Sequence, residues 1–349
     1  MFGSSMLSKK IGIDLGTANV LVYVAGEGIV LNEPTVVAVR ADDNKVVAVG
    51  QEAKEMLGRT PGNIIATRPL KDGVIADYGI TQSMLSYFID KVSGPTRFLS
   101  GSFLRTKPEV MVCIPSGITQ VEKRAVLDAT LAAGAGSVYL IEEPLAAAIG
   151  AKLPIAQATG HMILDSGGGT TDIAVISLGG VVEHKSIRIA GNKTEEAIAN
   201  HIRKRFNLLV GERTAEEIKI KIGNAIPDAS DPQIMGVRGR DSVTGLPRSI
   251  DISDEEVNEA ILPVLKQIIN AIRETFEITP PELASDIIDK GIVLSGGTSL
   301  LKNLDKYISR ETGVPSYVAE DPLFCVVRGT GVALENLELY KRSINKNEY

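Results

Sequence analysis

Cysteine and histidine are scarce in this chain, with 2 and 3 copies among 349 residues. The histidines, His161, His184 and His201, stand far apart in sequence. No metal cluster of Cys/His type can be assembled from them. Cys113 and Cys325 each lie in an apolar run and read as core thiols of a reducing compartment. A chain of this length builds a core without disulfide or metal staples. Positive charge is not in excess: 37 Lys+Arg against 43 Asp+Glu leave a net charge of −6. That balance argues against a nucleic-acid binder that works by neutralising phosphates. No uncharged apolar stretch reaches the roughly 18 residues of a spanning helix. The first ten residues are too few and too polar for a secretory signal. These absences predict a cytoplasmic protein that meets a membrane only from the side. What is present, 44% hydrophobic and 23% charged residues, is the composition of a soluble globular protein. The length suggests about two domains.

Short β-branched runs alternate with helical segments, the pattern of a layered α/β fold. Ile11-Gly-Ile-Asp-Leu-Gly reads as a strand ending in a turn, with Val20-Leu-Val-Tyr-Val as its hairpin partner. Val36-Val-Ala-Val and Val46-Val-Ala-Val read as a second hairpin. A helix is predicted over 80–92, a buried strand over 110–114 and a helix over 121–133. A short strand at Tyr139-Leu-Ile then leads to a helix opened by Pro144. The pattern restarts at His161-Met-Ile-Leu-Asp-Ser-Gly-Gly-Gly-Thr, again strand, Asp and glycine turn. Helices are predicted over 194–206, 214–222 and 253–276. Gly291-Ile-Val-Leu-Ser-Gly-Gly is a strand that runs into a helix over 300–312. The aliphatic–Asp–x–Gly…Thr phrase at Asp14 and again at Asp165 is an internal repeat. Two similar halves imply two α/β domains facing each other across a cleft.

The repeated turns have the chemistry of a polyphosphate site. Glycine lets backbone N–H donors approach an anion, and aspartate suits Mg²⁺, which prefers carboxylate and water oxygens. Asp14 with Gly16-Thr17-Ala18-Asn19, and Asp165 with Gly167-Gly168-Gly169-Thr170, each offer both. The glycines are neither a Walker loop nor a dinucleotide fingerprint, because Gly167-Gly168-Gly169 leads into a strand. Gly296-Gly297-Thr298-Ser299 joins a strand to a helix and either admits a base and ribose or is an ordinary tight turn. Glu143, beside Glu142, either orients a water towards a γ-phosphate, with Thr170 as a second acceptor, or complements a helix dipole. Glu216 and Lys219, one helical turn apart, either reach ribose hydroxyls or form a surface pair.

Further motifs surround these: Gly12-Ile-Asp-Leu-Gly-Thr-Ala-Asn19, Gly28-Ile-Val-Leu-Asn-Glu-Pro34, Arg68-Pro-Leu-Lys-Asp-Gly-Val-Ile-Ala-Asp77, Ile141-Glu-Glu-Pro-Leu-Ala-Ala-Ala-Ile-Gly150, Gly211-Glu-Arg-Thr-Ala-Glu-Glu-Ile-Lys219 and Arg328-Gly-Thr-Gly331. In this order they resemble the actin/Hsp70/sugar-kinase ATPase superfamily, and within it the MreB family of bacterial actins, over nearly the whole chain. The resemblance implies a duplicated actin-like, ribonuclease H-like α/β fold: two lobes of two subdomains around a nucleotide cleft. It divides the chain into IA (1–33, 71–145, 320–349), IB (34–70), IIA (146–182, 246–319) and IIB (183–245). It implies Mg-ATP, slowly hydrolysed. By this likeness Thr17, Ala18 and Asn19 match the first phosphate loop and Gly167, Gly168, Gly169 and Thr170 the second. Glu216, Glu217, Ile218 and Lys219 match ribose and base contacts, and Gly296, Gly297, Thr298 and Ser299 the adenosine loop. Glu143 and Thr170 match the pair that positions the hydrolytic water, and Asp14 and Asp165 the Mg²⁺-side carboxylates, through water. Ser166, Asp172, Asn192-Lys193 and Thr298-Ser299 depart from the family pattern. The last pair is expected to tighten the base pocket.

The resemblance also implies head-to-tail protofilaments, paired antiparallel, in which ATP shifts the populations of open and closed forms. It implies membrane proteins of the cell-wall elongation machinery as partners, while the charge balance argues for no nucleic acid. A candidate membrane anchor is visible in the residues themselves, the alternative being a loop that packs back onto the domain. Phe98-Leu99 and Phe103-Leu104 sit in a Gly/Ser/Pro-rich loop flanked by Arg97, Arg105 and Lys107. With only 7 Phe in the chain, two in one loop suit shallow insertion into the anionic inner face of the cytoplasmic membrane. Phe2, Met6 and Leu7 before Lys9-Lys10 add a second, weak anchor. Two other classes compete: a monomeric Hsp70-like chaperone ATPase and a small-molecule kinase. No peptide-binding domain follows the core and no catalytic aspartate base stands out, which disfavours both.

Overall fold

The first strand shows how the chain sets up its chemistry. In β1 (Lys10–Leu15), Ile11, Ile13 and Leu15 alternate with Gly12 and Asp14, so the apolar set occupies one face and Asp14 the other. This computed structural model describes residues 8–93, 98–99, 102–103, 107–341 and 344–346. β2 (Asn19–Val24) returns antiparallel, Leu15 opposite Val20, and β3 (Gly28–Pro34) continues the meander. β4 (Val37–Arg40), β5 (Val46–Val49) and β6 (Ile64–Thr67) form a small separate sheet in the order β5-β4-β6. The valine hairpin predicted there is present.

A helix and two β/α steps follow. α1 (Tyr78–Ser93) buries Met84, Leu85, Phe88 and Ile89. β7 (Glu109–Ile114) lies parallel to β1. α2 (Gln120–Ala132) opens with a capping box between Thr119 and Glu122. β8 (Ser137–Glu142) lies parallel to β7 and runs directly into α3 (Glu143–Gly150), with Pro144 in its first turn. The six-stranded sheet has the order Asn345–Lys346, β8, β7, β1, β2, β3. The 93–107 segment, expected as a loop, contains two paired two-residue strands, with Phe98 opposite Phe103.

The motif restarts as read. β9 (His161–Ser166), β10 (Thr171–Ser177) and β11 (Gly180–Ile187) are followed by α4 (Gly191–Phe206) and α5 (Glu212–Ile222). The hairpin β12 (Ile234–Asp241) and β13 (Pro247–Ser253) leads to α6 (Asp254–Ile278), which starts at a Ser253/Glu256 capping box and carries Pro263 within it. α7 (Pro281–Lys290), β14 (Ile292–Ser295), α8 (Leu304–Thr312), β15 (Ser316–Val318) and α9 (Cys325–Glu335) complete the chain's main elements. The helix expected from residue 300 begins only at Leu304. A 3-10 turn, Gly297–Leu300, comes first, and Asn303 adopts φ 59°. That left-handed residue breaks the run, and its amide donates to Asn224 Oδ1 and Ile226 O.

Contacts divide the chain into Met1–Ala158 with Ile176–Val181 and Leu323–Tyr349, and Thr159–Val175 with Val182–Pro322. Each unit has its own hydrophobic core. In the second, the five-stranded sheet has the order β11-β10-β9-β14-β15, with β14 and β15 parallel to β9. The first sheet follows the same plan: a three-strand meander, then two parallel strands added beside its first strand. The repeat read from Asp14 and Asp165 is thus a repeat of topology. In the first unit α3 and α9 pack backbone on backbone. A Cβ at Gly329 would fall 1.8 Å from Ala146 O, a separation only glycine permits.

Candidate functional site

Ligands of open α/β sheets bind beyond the carboxyl ends of the parallel strands. In the first unit those ends carry Asp14 on β1, Cys113 on β7 and Glu143 just past β8. The register Ile13 opposite Val112 places Asp14 beside Cys113. The Cys113 thiol donates to Asp14 Oδ1 at 3.3 Å. Asp14 keeps partial exposure, yet desolvation of its carboxyl raises its pKa to about 6, opposed by the thiol bond. Burial, then the charges of Asp14 and Glu143, push the Cys113 thiol well above its ordinary value. It therefore stays protonated and donating. Glu143 belongs to this buried corner. Glu142 does not, since it accepts from Ser116 Oγ at 3.0 Å. The acidic pair in the sequence is thereby split.

The β1–β2 turn is fixed from beneath. Thr35 donates through Oγ1 to Gly16 O at 2.6 Å and through its N–H to Ala18 O at 2.9 Å. Thr17 Oγ1 accepts from Gly73 N at 3.0 Å. Asn19 is held by Asn32 at 2.8 Å. With the carbonyls of residues 16 and 18 engaged, the turn's amide hydrogens are what it can offer an anion.

The second unit repeats the device with different parts. Asp165, one residue from the end of β9, lies opposite Ser295 of β14, the positions that Asp14 and Cys113 hold in the first sheet. Ser295 Oγ donates to Asp165 Oδ1 at 2.6 Å. In the β9–β10 turn, Gly167 N donates to Thr170 O at 3.0 Å. Gly167 O accepts from Gly191 N at 3.2 Å, and Gly168 O from Asn192 N at 2.8 Å. Again the carbonyls are tied back. Thr170 is buried and adjoins Thr171, whose hydroxyl donates to Ile189 O at 2.6 Å. That leaves Ser166 as the donor to Thr171 Oγ1, at 2.7 Å. A serine in this fully buried position is hydrogen-bonded, as burial of a hydroxyl requires. Asp172 is likewise buried.

The residues matched to base and ribose lie on two elements of this unit. Lys219 pairs with Glu195 of α4. Glu217 forms an exposed pair with Arg213 at 3.4 Å. Ile218 is fully buried in the core and has only its backbone to offer a ligand. In the β14 loop, Gly296 and Gly297 precede two buried hydroxyls. Thr298 Oγ1 donates to Gly167 O at 2.7 Å, and Ser299 Oγ to Gly296 O at 2.6 Å. Asn192 holds the β9–β10 turn through its backbone, while Lys193 pairs outward with Glu196 at 2.8 Å.

Among the described residues no three His, Cys, Asp or Glu side chains gather to hold a metal directly. Single carboxylates set beside anion-seeking turns suit Mg²⁺, which keeps several waters and binds phosphate oxygens. The donor set therefore fits Mg²⁺ held through water and phosphate. Sequence reading assigned Cys113 to the core, where it is, without its bond to Asp14. It passed over Ser295, Thr35 and Glu195. Strand register is the signal that pairs Asp14 with Cys113 and Asp165 with Ser295. Of the membrane residues, the side chains of Phe98, Leu99 and Phe103 lie outside the described residues, as do Leu104, Arg97, Arg105, Phe2, Met6 and Leu7.

Comparison with known proteins extends over almost all of the chain. The profile of the family described as MreB/Mbl protein matches residues 8–342. The cell shape-determining protein MreB of Escherichia coli (strain K12) is 52% identical over 339 residues, 96% of each chain. The cell shape-determining protein Mbl of Bacillus subtilis (strain 168) is 51% identical over 97% of this chain and 100% of its own. The crystal structure of MreB5 of Spiroplasma citri bound to ADP superimposes with a TM-score of 0.88 at 38% identity, covering 95% of this chain and 98% of that one. The MamK double helical filament, at 23% identity and a TM-score of 0.78, shares the fold. On its motifs, its duplicated topology and these likenesses, the chain belongs to the MreB/Mbl family.

Proposed function

We propose that this chain is an actin-like filament protein that binds and slowly hydrolyses Mg-ATP, lies against the inner face of the cytoplasmic membrane, and helps organise cell-wall synthesis and cell shape. The observation that carries the reading is the pair of carbonyl-tied, Asp-flanked glycine turns in a chain about half identical, over nearly its full length, to two proteins named as cell shape-determining. MreB5 of Spiroplasma citri, of similar fold, has been solved with ADP and with AMPPNP.

Thr17, Ala18 and Asn19 on one turn, and Gly168, Gly169 and Thr170 on the other, present backbone N–H groups to the phosphates of one ATP, while Gly167, its own N–H bound to Thr170 O, closes the second turn. Glu216, Glu217, Lys219 and the backbone of Ile218 serve the ribose and base, with Gly296, Gly297, Thr298 and Ser299 behind them. Asp14 and Asp165 hold Mg²⁺ through its waters, and the ion neutralises phosphate charge when bound. Glu143, set at the corner shared with Asp14, orients the attacking water, and the Thr170 hydroxyl accepts its second hydrogen bond. A water that is positioned but weakly activated gives slow turnover. Phe98, Leu99, Phe103 and Leu104 insert shallowly into the anionic leaflet, and filaments multiply these weak anchors by avidity. No helix among the described residues is long and apolar enough to cross a membrane. Membrane proteins of the elongation machinery are the expected partners, and self-assembly the expected state.

One sedimentation experiment tests the reading. Purified protein should pellet as filaments with Mg-ATP and stay in solution without nucleotide. With anionic liposomes it should float, and replacing Phe98, Leu99, Phe103 and Leu104 by Ser should abolish flotation while ATP binding persists. ATP binding without pelleting would favour a monomeric ATPase. Unchanged flotation of the quadruple variant would reject the loop anchor.

A further inference from the structure

We propose that Thr298 is a positioning residue. Its hydroxyl latches the β14 loop to the second phosphate turn, so that contacts to base and ribose strengthen the grip on the phosphates. The inference rests on the nucleotide reading above and goes beyond it. There Thr298 belongs to the base loop; here it acts through Gly167.

Thr298 Oγ1 donates to Gly167 O at 2.7 Å, and the side chain is 6% exposed. The bond joins residues 131 apart in sequence. Gly167 O also accepts from Gly191 N, and Gly168 O from Asn192 N, so α4 enters the same junction. Gly191 shows how tightly the segments meet. A Cβ there would come to 3.2 Å from Thr298 Oγ1 and 3.1 Å from Lys219 Nζ. The phosphate turn, the base loop and the ribose-side lysine thus share one crowded point. The second acceptor bond on Gly167 O helps hold that carbonyl tied back, the condition under which the turn offers N–H groups to phosphate. Such preorganisation raises affinity by removing the cost of ordering the loop on binding. A side chain at 298 does not merely crowd a base pocket; its hydroxyl is directed at the neighbouring turn.

The test is calorimetric binding of Mg-ATP and, separately, of adenosine, to the full chain and three variants. Thr298→Val keeps the shape without the hydroxyl, and Thr298→Ala removes the hydroxyl without adding bulk near Gly191. Both should weaken ATP binding about five- to tenfold, the effect of one lost hydrogen bond, and leave adenosine binding within about twofold. Thr298→Ser should restore ATP affinity to within about twofold, because it restores the donor. Unfolding midpoints without nucleotide identify any variant that fails to fold, and the other hydroxyl-free variant then decides. Unchanged ATP affinity in the folded hydroxyl-free variants would overturn the latch. So would equal losses for adenosine and ATP, or failure of Ser to rescue. A parent chain that does not bind ATP would remove the reading of function itself, whereas a parent that binds while the variants match it removes only the latch.

Discussion

Asp14 and Asp165 occupy the same place in two sheets of one topology, yet they are held differently. Asp165 accepts a hydroxyl bond of 2.6 Å from Ser295. Asp14 accepts a thiol bond of 3.3 Å from Cys113, and desolvation lifts its pKa to about 6. A thiol is the weaker donor, so the first carboxylate is less well stabilised as an anion by its neighbour. The turns differ as well. A Cβ at Gly16 would lie 2.6 Å from Asn19 O, whereas one at Gly167 would meet nothing closer than Thr170 O at 3.8 Å. Duplication preserved the plan and left the local chemistry free to diverge. The first turn is closed more tightly, and its carboxylate has the weaker donor.

The largest effect expected from this difference is a pH dependence. A carboxyl whose folded pKa, about 6, exceeds its unfolded value of about 3.9 binds more protons folded than unfolded between those limits. Stability contributed by Asp14 therefore falls as pH rises through that window. Asp14→Asn should stabilise the nucleotide-free protein by up to about 3 kcal/mol at pH 8, with the gain shrinking as pH falls towards 5. Denaturation curves at several pH values measure it. A gain independent of pH would show that Asp14 is not desolvated.

Next in size is the contrast between the turns. Gly16→Ala should cost about 2 kcal/mol, because the Asn19 carbonyl must shift. Gly167→Ala should stay within about 0.5 kcal/mol, as expected of a substitution that meets no strain. Similar losses at both would break the comparison.

The smallest effect concerns the two donors. Ser295→Ala strips a buried carboxylate of a short bond and should cost about 1.5 kcal/mol. Cys113→Ala removes a weaker donor and should cost about 1 kcal/mol. Chemical denaturation of the two variants side by side would sharpen the comparison, and a reversed order would refute it.

Much of this was legible beforehand because the signals are local. The aliphatic run, Asp and glycine turn at Ile11–Gly16 and Met162–Gly167 announced both hairpins, and Pro144 announced α3. Asn303 was missed as a helix breaker, since its left-handed φ of 59° accompanies bonds to Asn224 and Ile226, residues far away in sequence. Lys219 looked like the partner of Glu216, one turn along the same helix. It pairs with Glu195, a partly buried carboxylate that α4, packed beside α5, brings within reach.

Alternation of side chains, glycine at the turns and the twice-used aspartate were enough to determine two α/β halves, their order and their Asp-flanked glycine turns. These depend on periodicities and backbone permissions that a residue carries with it. Tertiary structure alone decided the partners: Cys113 for Asp14, Ser295 for Asp165, Thr298 for Gly167 and Glu195 for Lys219. Such contacts join residues 24 to 131 positions apart. They come into being only when strand register and helix packing bring distant segments within hydrogen-bond reach.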